Sequence, residues 1–231
     1  MSELKSKPFT EARRELRGLT ARIEKKVLLW LAARMPAWVS PDHLTALGLL
    51  AMMLAGAAYA FSSKTPELLH VVNAALLLNW LGDSLDGTLA RFRERCRPRY
   101  GFYVDHLVDA FGALFLLAGL ALSGYMSERI ALALLIAYFL ISINIYLATY
   151  TLGVFKISFG AVGGTELRLL LALGNLALLA WPRVALLGRE WLLYDVVGAM
   201  AVAGLTVVLI VTTARNTRAL YDLERLPAIN P

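Results

Sequence analysis

Apolar residues in this chain fall into six long blocks separated by short polar connections: 44–61, 68–90, 102–123, 130–154, 167–181 and 191–213. All are rich in Leu and Ala, and each is too long to be a buried strand. About 20 apolar residues at about 1.5 Å rise cross a hydrocarbon core of about 30 Å. In lipid the backbone must satisfy its own polar groups, so the blocks are expected to be helices. The pattern predicts an all-α, polytopic membrane protein: six transmembrane helices in a domain over 41–215, the fifth block being the shortest. No internal repeat is visible.

Ahead of the first block the pattern changes. Leu16, Leu19, Ile23, Val27 and Trp30 recur at helical spacing, while Arg14, Arg17, Arg22 and Lys25 lie mostly on the other face. Residues 1–40 therefore read as an amphipathic segment on the cytosolic membrane surface. The alternative is a helix packed against the protein's own loops. Ser40 and Pro41 resemble an N-cap and first helical position for the first span. Residues 216–231 read as a cytosolic tail.

Composition supports this class. The chain has 231 residues, 58% hydrophobic and 17% charged, against about 45–50% and about 25% in soluble domains. A disordered chain, a collagen-like fibre and a disulfide scaffold are excluded, and a soluble globular enzyme is disfavoured. The one cysteine, Cys96, has no intramolecular partner and reads as a reduced thiol facing the cytosol. The first 22 residues are charged and lack an apolar core, which argues against a cleaved signal peptide.

Net charge is +6. The basic residues gather at block ends, so contact with anionic lipid and control of topology explain them better than nucleic acid does. With a cytosolic N-terminus, nine Lys and Arg precede the first span, five lie in 91–99, Lys156 and Arg168 make two, and 215–225 holds three. Only Lys64, Arg129, Arg183 and Arg189 fall on the other side. This asymmetry predicts both termini inside, in the inner membrane if the cell is bacterial.

The stretch 81–110, LGDSLDGTLARFRERCRPRYGFYVDHLVDA, holds four aspartates in two pairs: Asp83 with Asp86, and Asp105 with Asp109. At about 100° per residue, Asn79, Asp83, Asp86, Gly87, Ala90 and Arg91 share one side of the second span. Gly101, Asp105 and Asp109 share one face of the third. Asp83 lies about 10 Å below the cytosolic end of its block, and Asp105 and Asp109 lie about 5 and about 10 Å down theirs. The pairs enter from one side, on consecutive antiparallel helices, at matching depth.

Carboxylates in a membrane are costly, about 2.5–3.5 kcal/mol each at a span centre and less near the interface. Arg91 alone cannot neutralise four of them. All-oxygen ligands suit Mg²⁺ or Mn²⁺, and four carboxylates around a cleft suit two ions. A structural polar cluster and a proton or cation pathway are the other readings. Gly87 and Ala90 leave room for a ligand to approach the backbone, or for helices to pack closely. Arg91 is placed to hold a phosphate, or to set topology.

The run Asp83-x-x-Asp86-Gly87-x-x-Ala90-Arg91, then nine residues, then Gly101-x-x-x-Asp105-x-x-x-Asp109 resembles the complete signature of the CDP-alcohol phosphotransferase family. The six-span plan and the N-terminal helix are similar too. The resemblance implies transfer of a phospho-alcohol group from a CDP-linked donor, lipid or alcohol, to an alcohol acceptor with release of CMP. It implies Asp83, Asp86 and Asp105 as metal ligands, and Asp109 as general base also touching the second metal. It places Gly87 under the cytidine, with Asp86, Ala90, Arg91 and Gly101 at the donor site, and it implies a homodimer.

Before the fifth span, 159–168 runs through glycines into a helix start. Lys156, Thr165, Glu166 and Arg168 are candidates to orient the acceptor, the alternative being a flexible turn with Thr165 as N-cap. His106 reads as a passive polar residue or a partner of the acidic site. Two other functions compete. An intramembrane prenyltransferase would place its acidic motifs on non-adjacent helices, whereas these flank one connection. A cation or proton transporter needs a polar path to the far side, where the spans read as apolar.

Overall fold

A computed structural model of the protein describes residues 21–152 and 164–225, with side chains from Glu24 onward. Its elements are α1 (Ala21–Arg34), α2 (Pro41–Ser62), α3 (Leu68–Phe92), α4 (Pro98–Leu122), α5 (Glu128–Leu152), α6 (Gly164–Ala180), β1 (Arg183–Leu186), β2 (Arg189–Leu192) and α7 (Leu193–Leu223). The protein is an all-α membrane protein with one small hairpin.

Five helices, α2 to α5 and α7, are long and apolar enough to cross a membrane. The expected count of six is not met among the described residues. The fifth apolar block forms α6, which has only 17 residues, about 26 Å of helix against a core of about 30 Å. Glu166 and Arg168 in its first turns shorten the apolar stretch further. The last block also starts later than expected: Trp191 belongs to β2, and α7 continues through Arg215 and Arg218 to Leu223.

The hairpin between α6 and α7 was not foreseen. Leu186 pairs with Arg189 across a two-residue turn. Leu187 and Gly188 both take positive φ, 54° and 75°, the backbone a type I′ turn needs.

Three helices form the centre. Helix α2 packs on α3 and α4, α3 on α1 and α6, α4 on α5, and α5 on α7. The main core gathers Ala55, Tyr59, Val72, Leu76, Leu116, Leu120 and Leu178. Backbones approach closely where glycines meet. A Cβ on Gly82 would lie 2.5 Å from the Leu44 carbonyl oxygen and 2.8 Å from the Gly48 nitrogen. Gly56 and Gly119 face one another across the α2–α4 crossing with no room for a methyl group on either. Small-residue contacts of this kind hold helices together where water supplies no drive. Helix α7 buries only Tyr194 and Gly198, and its Val197, Met200, Val207, Ile210 and Val211 side chains face outward as lipid-facing residues do.

Helix α1 packs on helix α3, where the alternative reading of the N-terminal segment expected loops. Leu28 and Ala32 are buried against Leu85 and Leu89 of α3, while Val27 and Trp30 of the expected stripe are exposed. Leu16 and Leu19, and the Ile23 side chain, lie outside the described residues. After α1 the chain turns through 35–39, where the Arg93 guanidinium donates to the carbonyls of Val39, Met35 and Pro36. Ser40 then caps α2 in a reciprocal pair with His43, as the Ser-Pro-Asp run suggested.

Candidate metal centre

The connection between the two acidic helices is shorter than the apolar pattern implied, only residues 93–97. Just past the end of helix α3, Glu94 takes φ 54°. The Arg95 N–H reaches the Ala90 carbonyl at 2.9 Å and the Glu94 N–H reaches that of Arg91 at 3.1 Å. This pair of bonds is a Schellman cap, with glutamate where glycine is usual. Pro98 opens α4 at once. Arg97 meets Asp42 and stacks over Tyr100, 4.1 Å from the ring centre. These contacts tie the short connection to α2, on which both α3 and α4 pack.

Asp83, Asp105 and Asp109 converge. One carboxylate oxygen from each lies within 4.8 Å of the others, and all three side chains are half-buried. They line a cavity with Asp86, Thr45, Gly48, Asn79 and Val108. Its volume, about 10 Å³, admits a single water-sized body. Two oxygens on one Mg²⁺ lie about 3–4 Å apart, given metal–oxygen distances of about 2.0–2.1 Å. The triad oxygens need to close by about 1–2 Å at most to reach that spacing, and their all-carboxylate donor set suits a hard divalent cation. The residues present fit such an ion.

Asp86 lines the cavity but does not join the triad. One of its oxygens accepts from the Thr45 hydroxyl at 2.7 Å, and the other from the Gly87 N–H. The Arg91 guanidinium lies over Gly87, where an added Cβ would sit 3.4 Å from its Nη1. Arg91 is exposed, Ala90 is half-buried, and Gly101 is exposed with open space on its Cβ side. The glycine-and-arginine face is therefore accessible beside the acids.

The group expected at the acceptor is split. Lys156 and the glycines before residue 164 lie outside the described residues. Arg168 turns into the acidic cluster: its Nη2 donates to Asp83 Oδ2 at 2.6 Å and its Nε to Asn79 Oδ1 at 2.7 Å. Thr165 donates to Glu24 Oε1 at 3.1 Å. Glu166 is half-buried in the same turn. His106 meets its own helix, Nδ1 lying 2.6 Å from the Phe102 carbonyl oxygen. Its ring also packs edge-on to Tyr146 at 4.8 Å between centres.

Two contributors escaped the sequence reading, and a third was seen only in part. Thr45, one turn past the Ser40 cap, holds Asp86. Asn79 bridges Arg168 to the Gly48 carbonyl; its place on the acidic face was visible, its partners were not. Glu24 of α1 accepts on one oxygen from Trp80 Nε1, the Ser84 hydroxyl and the Thr165 hydroxyl, at 3.1, 3.2 and 3.1 Å. It joins the surface helix to α3 and α6.

At the opposite end of the bundle the spans are not wholly apolar, contrary to expectation. Asn175 Oδ1 accepts from Tyr59 at 2.6 Å and Tyr194 at 2.7 Å, and its amide donates to Asn73 at 2.7 Å. This knot is closed on itself. Buried Ala75 and Leu76 separate its Asn73 from Asn79 along α3.

Fold and site together define an integral membrane protein whose helices carry a carboxylate triad near the α1 end. The chain matches no protein-family model and no curated protein.

Proposed function

We propose that this protein is a CDP-alcohol phosphotransferase, moving a phospho-alcohol group, in our reading a phosphatidyl group, from a CDP-linked donor to an alcohol with release of CMP. The observation that carries the reading is the meeting of Asp83 with Asp105 and Asp109 from two consecutive helices. The eight-residue signature over 83–109 supplies the chemistry to attach to it.

A divalent cation such as Mg²⁺ or Mn²⁺, two in the full reading, would be held by Asp83, Asp105 and Asp109 with Asp86, and would supply Lewis-acid stabilisation of charge on the donor diphosphate. Asp109 accepts the proton of the acceptor hydroxyl. That oxygen bonds to the β-phosphorus as the bridging P–O bond breaks, and CMP departs with the bond's electrons. Gly87 leaves its backbone open to the cytidine, and Arg91 offers its guanidinium to a donor phosphate. Thr45 holds Asp86 in one rotamer, so its orientation is set before the donor arrives. The acids lie within a few turns of one bundle end, so acyl chains stay in the bilayer while the head group enters. A homodimer belongs to the same proposal.

Purified protein given CDP-diacylglycerol and a panel of alcohols, with and without Mg²⁺, tests it by CMP release. Parallel reactions with CDP-choline or CDP-ethanolamine and diacylglycerol decide which substrate carries the lipid. No Mg²⁺-dependent CMP release from any pairing would sink the proposal.

A further inference from the structure

Three carboxylates sharing a few ångströms repel one another, and the half-buried setting weakens the screening that would relieve them. The chain supplies its own relief. Arg168 enters from the second turn of α6 and is held at two points on α3: Nη2 on Asp83 Oδ2 at 2.6 Å and Nε on Asn79 Oδ1 at 2.7 Å. Asn79 is itself fixed by its amide on the Gly48 carbonyl at 3.0 Å. The pair is well shielded, the Arg168 side chain 18% exposed and that of Asp83 29%. Asp83 thus faces two positive partners, a guanidinium anchored by α6 and any cation taken by the triad. A guanidinium cannot shed its charge at physiological pH, so relief must come by movement or by sharing.

From this geometry we infer that Arg168 is the resident counter-cation of the triad: it neutralises Asp83 while the site is metal-free and opposes the divalent cation when it binds, thereby setting the site's metal affinity. The inference rests on the metal reading above. It assigns Arg168 a positioning role on Asp83, distinct from contact with the acceptor. Removing its charge withdraws a repulsion from the bound ion and leaves the carboxylate oxygens free to ligate. The same change takes from Asp83 its ion-pair partner in the metal-free site, so the metal-free fold loses stability.

The test is Mn²⁺ titration of the full chain in nanodiscs, read by electron paramagnetic resonance, with thermal unfolding at each Mn²⁺ level. Wild type, Arg168→Gln, Arg168→Lys and Asp83→Asn are compared. Arg168→Gln binds Mn²⁺ about tenfold tighter than wild type, a modest share of a close charge–charge repulsion. It also unfolds earlier without metal and gains more from Mn²⁺. Arg168→Lys keeps the charge and stays near wild type, and Arg168→Met replaces the Gln variant if that cannot be purified. Equal or weaker Mn²⁺ binding by the neutral variants overturns this inference alone. A wild-type chain that takes up no Mn²⁺, or no more than Asp83→Asn, overturns the metal reading and this inference with it.

Discussion

Gly82 rests against Gly48 with no space for a methyl group between α3 and α2. Asp83 is the next residue, so the contact that brings the helices together also sets where the first carboxylate stands. Gly82→Ala would force the Leu44 carbonyl and Gly48 backbone away. The expected cost is about 1–3 kcal/mol of overpacking strain, seen as earlier thermal unfolding, together with weaker Mn²⁺ uptake as Asp83 leaves the triad. A variant that unfolds earlier with unchanged Mn²⁺ affinity would separate packing from site geometry.

Asp109→Asn should lower CMP release by at least about a hundredfold, the order of a general-base contribution. Donor binding should survive, since Asp83, Asp86 and Arg91 remain. Equilibrium binding of the CDP-linked donor beside a turnover assay checks this, and full turnover would remove Asp109 from the base role.

Among the described residues, two hold left-handed backbone without being glycine: Glu94 at φ 54° and Leu187 at φ 54°. An L side chain there costs about 1–2 kcal/mol. Glu94→Gly at the α3 cap and Leu187→Asn in the hairpin turn should each raise stability, by about 1 kcal/mol at most. Unfolding temperatures in a fixed detergent read the change, and a fall in either variant would mean that the native side chain makes a stronger contact than the strain it carries.

Asn175→Ala removes the partner of the Tyr59 hydroxyl and of Asn73 Oδ1 inside the bundle, while the Tyr194 hydroxyl keeps the Leu171 carbonyl. Buried polar groups left unpaired cost about 1–3 kcal/mol each, so this variant should be among the least stable single substitutions. Whatever fraction remains folded should bind Mn²⁺ as wild type does, because the knot sits at the other end from the triad.

Much of the site could be read from the chain because helix periodicity is local. Asp83 on one helix and Asp105 and Asp109 on the next needed only their spacing and a common entry side to be brought together, and the structure unites them. Asp86 went to Thr45 instead, a choice that depends on where α2 packs and leaves no trace in the spacing. Arg168 was visible as a charge near a helix start, but its partner sits 85 positions away. Glu24 resembled any acid on a basic amphipathic helix until Trp80, Ser84 and Thr165 were seen around it. The close approaches at Gly82 and Gly119 likewise depend on a facing helix. The span count differs because α6 is short, and length in an apolar block does not reveal where its helix begins. The hairpin stayed hidden because Leu187, in place of Asn, disguises a tight turn.

Glu24 has a practical consequence for anyone who shortens this chain. One oxygen atom on α1 serves donors from two other helices, so α1 is wired into the bundle and is no detachable handle. Deletions that stop before this residue leave the junction whole, whereas those that pass it release Trp80, Ser84 and Thr165 together and slacken the base of the helix that carries Arg168.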